Sequence, residues 1–209
     1  MDEPARLFLI RHGQTAWNAE MRMQGQLDLP LDATGLWQAE RVAQALHGET
    51  LTAIYCSDLQ RARQTAAPLA SAQGLTLQLE PGLRERHFGE FQGHSYADIE
   101  QRWPLQVQRW RQRDPDFGPA GGETLTVFYE RSVQTVLRLA AAHGGQSIAL
   151  FAHGGVLDCI YRAATHLSLQ APRTWQLNNA TINRLLWTPQ GLSIVGWNDA
   201  QHLEPGADK

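Results

Sequence analysis

The apolar positions of this chain fall into short segments of two alternating kinds. Leu7 to Ile10 is a continuous apolar run that stops at Arg11-His12-Gly13, the pattern of a strand buried on both faces that empties into a loop. Over 34–46, Leu36, Ala39, Val42, Ala43 and Leu46 recur at the three-and-four spacing of an amphipathic helix, with Gly48 as a stop signal. Residues 52–56 predict a second strand. Leu59, Ala62, Ala66, Leu69 and Ala70 predict a helix over 59–72 that Pro68 bends or bounds, and 75–79 predicts a third strand. The pattern loosens over 93–122, where Ile99, Trp103, Val107 and Trp110 stand at helical spacing around Pro104 and predict a helical cap. A long helix is predicted over 124–142, with Leu125, Phe128, Ser132, Val136, Leu139 and Ala140 inward and Gly144-Gly145 closing it. Ser147 to Ala152 predicts a fourth strand ending at His153-Gly154-Gly155, followed by a helix over 156–165. Residues 182–187 and 192–197, joined by Pro189-Gln190-Gly191, predict a terminal hairpin. Strands alternating with helices imply an α/β fold, a mainly parallel sheet flanked by helices on both faces with a short cap segment. With no repeat, low-complexity tract or linker, a single domain over 1–209 is expected, the cap excursion lying at about 93–122.

Composition narrows the function classes. The 209 residues are 43% apolar and 19% charged, with a formal net charge of -3, which leaves no basic footprint for nucleic acid. No apolar run approaches the roughly 20 residues of a membrane span. The acidic start Met1-Asp2-Glu3-Pro4 predicts no secretory signal. Two cysteines, Cys56 and Cys159, form no CxxC pair and predict small buried residues of a reducing, cytoplasmic protein. The basic residues are lopsided: of 18, only Lys209 is a lysine.

Chemistry concentrates at strand ends. In open parallel sheets, ligands bind beyond the carboxyl ends of the strands. Two of the most apolar strands, far apart in sequence, both end in His-Gly: Ile10-Arg11-His12-Gly13 and Ala152-His153-Gly154-Gly155. Glycine lets the backbone turn sharply there, so both histidines are expected in one crevice. Arg11 beside His12 suggests an anion, because guanidinium presents a rigid fork matched to phosphate or carboxylate oxygens. Ser57-Asp58-Leu59-Gln60-Arg61-Ala62-Arg63-Gln64-Thr65 offers a further arginine at a helix start, where negative charge is favoured. Taken alone, Arg61 and Arg63 read equally as solvated helix arginines. His87, His94, His47, His143, His166 and His202 show no HExxH or similar ligand spacing, so neither a metal nor another cofactor is expected.

Five motifs stand in order: Arg11-His12-Gly13-Gln14-Thr15 with Trp17-Asn18; Gly25, Asp28, Pro30-Leu31 and Gly35; Ser57-x-Leu59-x-Arg61-Ala62-x-x-Thr65; Leu83-x-Glu85-x-x-x-Gly89 with Gly93; and Ala152-His153-Gly154-Gly155. Together they resemble the histidine phosphatase superfamily, in the branch of phosphoglycerate mutases and small-molecule phosphatases. The match spans roughly 7–155; beyond it, Asn178-Asn179-Ala180-Thr181 fits only loosely. The resemblance implies a phosphoglycerate mutase-like fold and a nucleophilic His12 that forms a phosphohistidine, its other ring nitrogen held as N–H by a backbone carbonyl. It also implies that Arg11, Arg61 and His153 surround the transferred phosphoryl group, His153 best when protonated. Asn18 and Thr15 would add neutral donors. Glu85 occupies the general-acid position; the alternative is a surface glutamate paired with Arg84 or Arg86.

The same core hydrolyses phosphomonoesters or moves a phosphoryl group within a substrate. Arg86 matches a mutase residue that grips a carboxylate. Mutases also carry a lysine and then paired arginines after a Trp, whereas here Gln112 separates Arg111 from Arg113 and no lysine precedes Lys209. The stretch 114–123 is short where mutases have a long covering insertion. A phosphatase of a small phosphorylated metabolite is therefore expected, with mutase-type transfer and an inactive binding module as the alternatives. Substrate contacts are expected from Gln24, Gly25, Arg86, Gly154 and the Trp110-Arg111 region, with Trp103 and Trp110 read as packing or as substrate contacts. A homodimer is compatible with the sequence, which bears no mark of it.

Overall fold

The computed structural model describes residues 3–204; Met1, Asp2 and 205–209, including Lys209, lie outside the described residues. The elements in chain order are β1 (Ala5–Arg11), α1 (Ala16–Ala19), α2 (Ala33–Ala45), β2 (Ala53–Cys56), α3 (Gln60–Gln73), β3 (Leu77–Leu79), α4 (Tyr96–Arg102), α5 (Pro104–Arg111), α6 (Leu125–Ala141), β4 (Ser147–Ala152), α7 (Gly154–Thr165), β5 (Ile182–Thr188) and β6 (Gly191–Asp199), with short 3-10 turns at Pro81–Leu83, Gly89–Phe91 and Gln201–Leu203. The six strands form one sheet in the order β3-β2-β4-β1-β5-β6. The first four run parallel, and β5 and β6 add an antiparallel hairpin at one edge. No helix among the described residues is long and apolar enough to cross a membrane.

The side-chain alternation of each central strand feeds two cores. Leu7 and Leu9 of β1, with Ile148 and Leu150 of β4, pack against α6 and α7 through Val136, Leu139, Val156 and Ile160. Their neighbours Phe8, Ile10, Ala149 and Phe151 point to the other face and meet Val42 of α2, Leu46 just beyond it, and Ala66 and Leu69 of α3. A strand covered on both faces must be apolar at every position, hence the unbroken runs. A third cluster, Met23, Phe91, Ile99, Val107 and Phe117, is the interior of the cap.

Several boundaries differ from the sequence pattern for local reasons. α2 starts at Ala33 because Asp32 caps it, its carboxylate accepting from Gly35 N at 2.8 Å. Its C-cap is Leu46, so Gly48 does not stop it, and Leu36 is half-exposed where an inward position was expected. The buried residue of that first turn is Gly35, pressed against the loop after β1. α3 runs through Pro68. The missing N–H and ring clash cost about 3 kcal/mol in a helix interior, and the burial of Ala66, Leu69 and Ala70 around it outweighs that cost. β3 is shorter than expected because the chain leaves α3 through left-handed Gly74. α7 begins at Gly154, directly after His153.

Candidate active site

The sheet topology sets the site. β1 and β4 are parallel neighbours with Arg11 opposite Ala152, so the next residue of each strand is His12 and His153. The His12 amide still donates to Ala152 O at 3.0 Å, and the two imidazole centroids are 5.1 Å apart. Beyond His12 the chain turns at Gly13, whose amide donates to Thr65 Oγ1 at 2.9 Å. A Cβ on Gly13 would lie 2.7 Å from Gly35 O, and one on Gly35 would lie 2.1 Å from Gln14 O. Both positions therefore need glycine for the first turn of α2 to meet this loop.

His12 is buried, and its Nδ1 lies 2.7 Å from Gly13 O. A carbonyl only accepts, so Nδ1 carries the proton and Nε2 keeps its lone pair, on the side that lines the cavity. Burial, and then Arg61 and Arg11, hold His12 well below the usual imidazole range, which makes the neutral ring the resting form. His153 is fully buried and is not among the cavity-lining residues. Its Nε2 lies 2.8 Å from Ser57 Oγ, and its Nδ1 has no partner. Burial, Arg61, His12 and Arg11 keep His153 neutral too; the protonated form that the sequence suggested requires a bound anion to offset those cations.

Two guanidiniums flank His12. Arg61, at the start of α3, donates to Leu27 O at 2.8 Å and Gly25 O at 2.7 Å; Gly25 thus holds Arg61 while lining the cavity. Burial brings Arg61 down to about 10, still charged at neutral pH. Arg11 donates through Nη1 to Leu177 O, and burial lowers it as well. The Nε atoms of Arg11 and Arg61 are both buried without a hydrogen-bond partner. Arg63 is exposed.

Glu85 lies across the cavity, accepting from Arg86 N at 2.8 Å and Gly155 N at 3.0 Å. It is not paired with a guanidinium: Arg84 bonds Asp58 instead. The segment carrying Glu85 is held by Arg131, which donates to Gly82 O and Arg84 O and pairs twice with Glu123 at 2.8 Å. Arg86 lines the cavity with its guanidinium oriented by Glu123 O and Phe117 O, and burial brings it down to about 10.

The remaining expected residues divide. Asn18, Gln24 and Gly154 line the cavity, and Gln24 Oε1 is buried with no partner. Thr15 does not line it: its hydroxyl and the Asn18 side chain form the capping box of α1. Trp110 lines the cavity, stacked on Tyr96 with centroids 5.8 Å apart, whereas Trp103 packs inside the cap on Phe91. Buried Cys56 and Cys159 are held as thiols, burial pushing Cys56 up to about 12. Among the described residues, no three His, Cys, Asp or Glu side chains converge as a metal site.

The sequence reading missed the segment between α7 and β5. Asn179 Nδ2 donates to His12 O at 2.9 Å, Ala180 N donates to Arg11 O at 3.0 Å, and Leu177 O receives Arg11. Arg173, Trp175 and Gln176 line the cavity. Only the loose Asn178 to Thr181 fit pointed there. Together these elements line an open cavity of about 1160 Å³, more than a phosphoryl group alone occupies.

Comparison with known proteins identifies the family and the fold. The family model described as the histidine phosphatase superfamily (branch 1) matches residues 7–200. Two Arabidopsis thaliana proteins, phosphoglycerate mutase-like protein 4 and a metal-independent phosphoserine phosphatase, are each 35% identical over 204 residues, which is 96% of this chain and 87% and 84% of theirs. The solved structure of a mycobacterial glucosyl-3-phosphoglycerate phosphatase in complex with VO3 superposes with a TM-score of 0.83 at 33% identity, covering 93% of this chain and 99% of that one.

Proposed function

The chain belongs to the histidine phosphatase superfamily and is a phosphatase enzyme of it; we propose that it hydrolyses the monoester of a small phosphorylated metabolite without a metal, through a phosphohistidine on His12. The observation that carries this reading is the state of His12. It is a neutral imidazole with Nδ1–H directed to Gly13 O and Nε2 free. Around it stand three buried nitrogens without protein partners, Arg11 Nε, Arg61 Nε and His153 Nδ1.

In this reading Nε2 attacks phosphorus as the ester P–O bond breaks. Arg11 and Arg61 offset charge on the equatorial oxygens, where phosphoryl transfer is mainly stabilised. With the Ser57 hydroxyl donating to His153 Nε2, the proton of that neutral ring sits on Nδ1 and is a further donor. Asn18 contributes its amide nitrogen, since its Oδ1 already accepts from Thr15. Glu85 gives a proton to the departing alkoxide. The resulting carboxylate then takes a proton from water, whose oxygen attacks phosphorus, breaks the P–N bond and restores neutral His12. Gln24, Gly25, Arg86 and Gly154 lie along the wall that meets the alcohol. Relatives named for phosphoserine and for glucosyl-3-phosphoglycerate support a small phosphorylated substrate.

A panel of phosphorylated sugars, sugar acids and amino acids, assayed for inorganic phosphate in the presence of a chelator, tests the proposal. Release is expected with the wild type and is lost with His12→Ala, together with the acid-labile phosphate trapped on the protein. Release that survives His12→Ala overturns the mechanism. Rapid isomerisation of phosphoglycerate without net phosphate assigns the mutase reaction instead.

A further inference from the structure

Asp158, on α7, is a buried carboxylate that lines the cavity and has no part in the phosphoryl-transfer steps. Its two oxygens differ. Oδ2 accepts from Arg113 Nη2 at 2.7 Å and from Arg162 Nε at 3.0 Å, whereas Oδ1 is buried and accepts from nothing among the described residues. Burying a charged acceptor without a donor is costly, and on a cavity wall the missing donor is one that a ligand can bring.

The carboxylate is held in place from two sides. Arg113, just past the cap helix α5, keeps a left-handed φ of 53° and also donates to Leu169 O. A residue other than glycine stays in that conformation only where its surroundings fix it. Arg162, one turn further along α7 and fully buried, donates to Ser168 O at 2.6 Å and Ala171 O at 2.9 Å, and its guanidinium lies 4.8 Å from the centroid of the Trp175 ring. With Oδ2 fixed by both guanidiniums, Oδ1 is oriented before any ligand arrives. Asp158 follows Gly155 by three residues, so the two share a helix face about 4.5 Å apart along the axis. Gly155 N holds Glu85, and helix side chains tilt back toward the N-terminus. The carboxylate therefore leans toward the ester oxygen that Glu85 serves, within reach of the second or third carbon of the alcohol. A group there must donate a proton. An ammonium is disfavoured, because the single charge of Asp158 is already shared by two guanidiniums, and an anion would meet the lone pairs of Oδ1. A neutral hydroxyl fits, and the apolar walls Leu125, Phe128 and Cys159 suit the carbons that carry it.

We propose that Asp158 is a specificity-determining residue whose Oδ1 accepts a hydrogen bond from a hydroxyl on the second or third carbon of the alcohol. This rests on the phosphatase reading above. The test compares kcat/KM for propyl, 2-hydroxypropyl, 3-hydroxypropyl and 3-aminopropyl phosphate, whose leaving groups are all unactivated, with p-nitrophenyl phosphate as a general phosphatase probe. The wild type prefers a hydroxylated ester over propyl phosphate by about 10- to 100-fold, the worth of a hydrogen bond to a charged group, and the aminopropyl ester gains no such advantage. In Asp158→Asn the amide oxygen stays with the guanidiniums and the amide nitrogen replaces Oδ1, so the ratio falls about fivefold or more, a neutral bond being about half as strong. Gln24→Met removes the other unpartnered acceptor of the cavity wall and keeps the ratio, which decides the assignment even where Asp158→Asn does not fold. Equal use of the propyl and hydroxypropyl esters, a preference for the ammonium ester, an unchanged ratio in folded Asp158→Asn, or its loss in Gln24→Met overturns this inference and leaves the phosphatase reading intact. No phosphate release from any of the five esters overturns both.

Discussion

Gly155 is the position at which the role of Glu85 is tested most directly. Its amide donates to Glu85 Oε2 at 3.0 Å, and it can approach that closely only because it has no side chain. An alanine Cβ would lie 2.2 Å from Glu85 Oε1, with Phe128 Cε1 and Cζ at 3.0 Å blocking retreat the other way. Ordinary contact begins near 3.4 Å, so the carboxylate oxygen must move by about 1.2 Å, the difference between the two distances. Arg86 N and Gly155 N currently fix both oxygens, and a shift of that size breaks the Gly155 bond. Displacing a reacting group by about 1 Å costs up to ~100-fold, and losing general acid catalysis costs about 100- to 10,000-fold. Gly155→Ala is thus expected to lower kcat for an alkyl phosphate about 100-fold or more. For p-nitrophenyl phosphate, whose phenolate leaves without needing a proton, the loss is expected to stay below about tenfold. Overpacking of the site adds about 1–3 kcal/mol of destabilisation, read separately by thermal denaturation. Equal losses on the two substrates in a folded variant, or no loss on the alkyl ester, would refute the assignment of Glu85 as the acid.

Three further outcomes follow from the same geometry. The folded-state lowering of His12 and His153 means that the unfolded chain binds more protons below the ordinary histidine pKa. Stability is therefore full above about pH 6.5 and falls with decreasing pH, by up to about 1.4 kcal/mol per pH unit for each histidine. Urea unfolding from pH 7 to 5 measures this, and a flat profile contradicts it. Arg131→Met removes the paired bonds to half-buried Glu123 and the support of the Glu85 segment. It should cost about 2–3 kcal/mol in urea denaturation, and wild-type stability would show that the pair does not hold the segment. Asn179→Ala removes the amide bond to the carbonyl of His12 and is expected to lower kcat about tenfold, a loss of one buried hydrogen bond worth about 1.4 kcal/mol; unchanged kcat and KM would make Asn179 a bystander.

The differences between pattern and structure have identifiable causes. Helices with a wide inward face, such as α6, match their periodicity to within a residue, because capping by Thr124 and burial of Phe128, Val136 and Leu139 act together. Where the two diverge, tertiary contact overrides a local signal, as at Pro68 inside α3 and at half-exposed Leu36. The His-Gly strand ends and the arginine after β2 were legible because strand termination, glycine and charge are local features. Thr15 carried the right chemistry, but its hydroxyl is engaged in capping α1. Arg173 and Trp175 bear no local mark, and Asn179 only the loose fit of Asn178 to Thr181, since the chain around them has no periodic pattern and their meaning depends on what they fold against.

By itself the sequence determined the alternation of strands and helices, the two-faced burial of the central strands and the kind of chemistry at their ends. Each follows from a period or motif a few residues long. Only the tertiary structure decided that β4 lies beside β1, that His12 and His153 thereby come within 5.1 Å, and that Arg61 turns inward while Arg63 remains in solvent. It also brought Asn179, 167 residues from His12, back to clamp it. Strand order and loop return are set by long-range packing against a shared core, and the energy of that packing belongs to pairs of distant residues that no local pattern records.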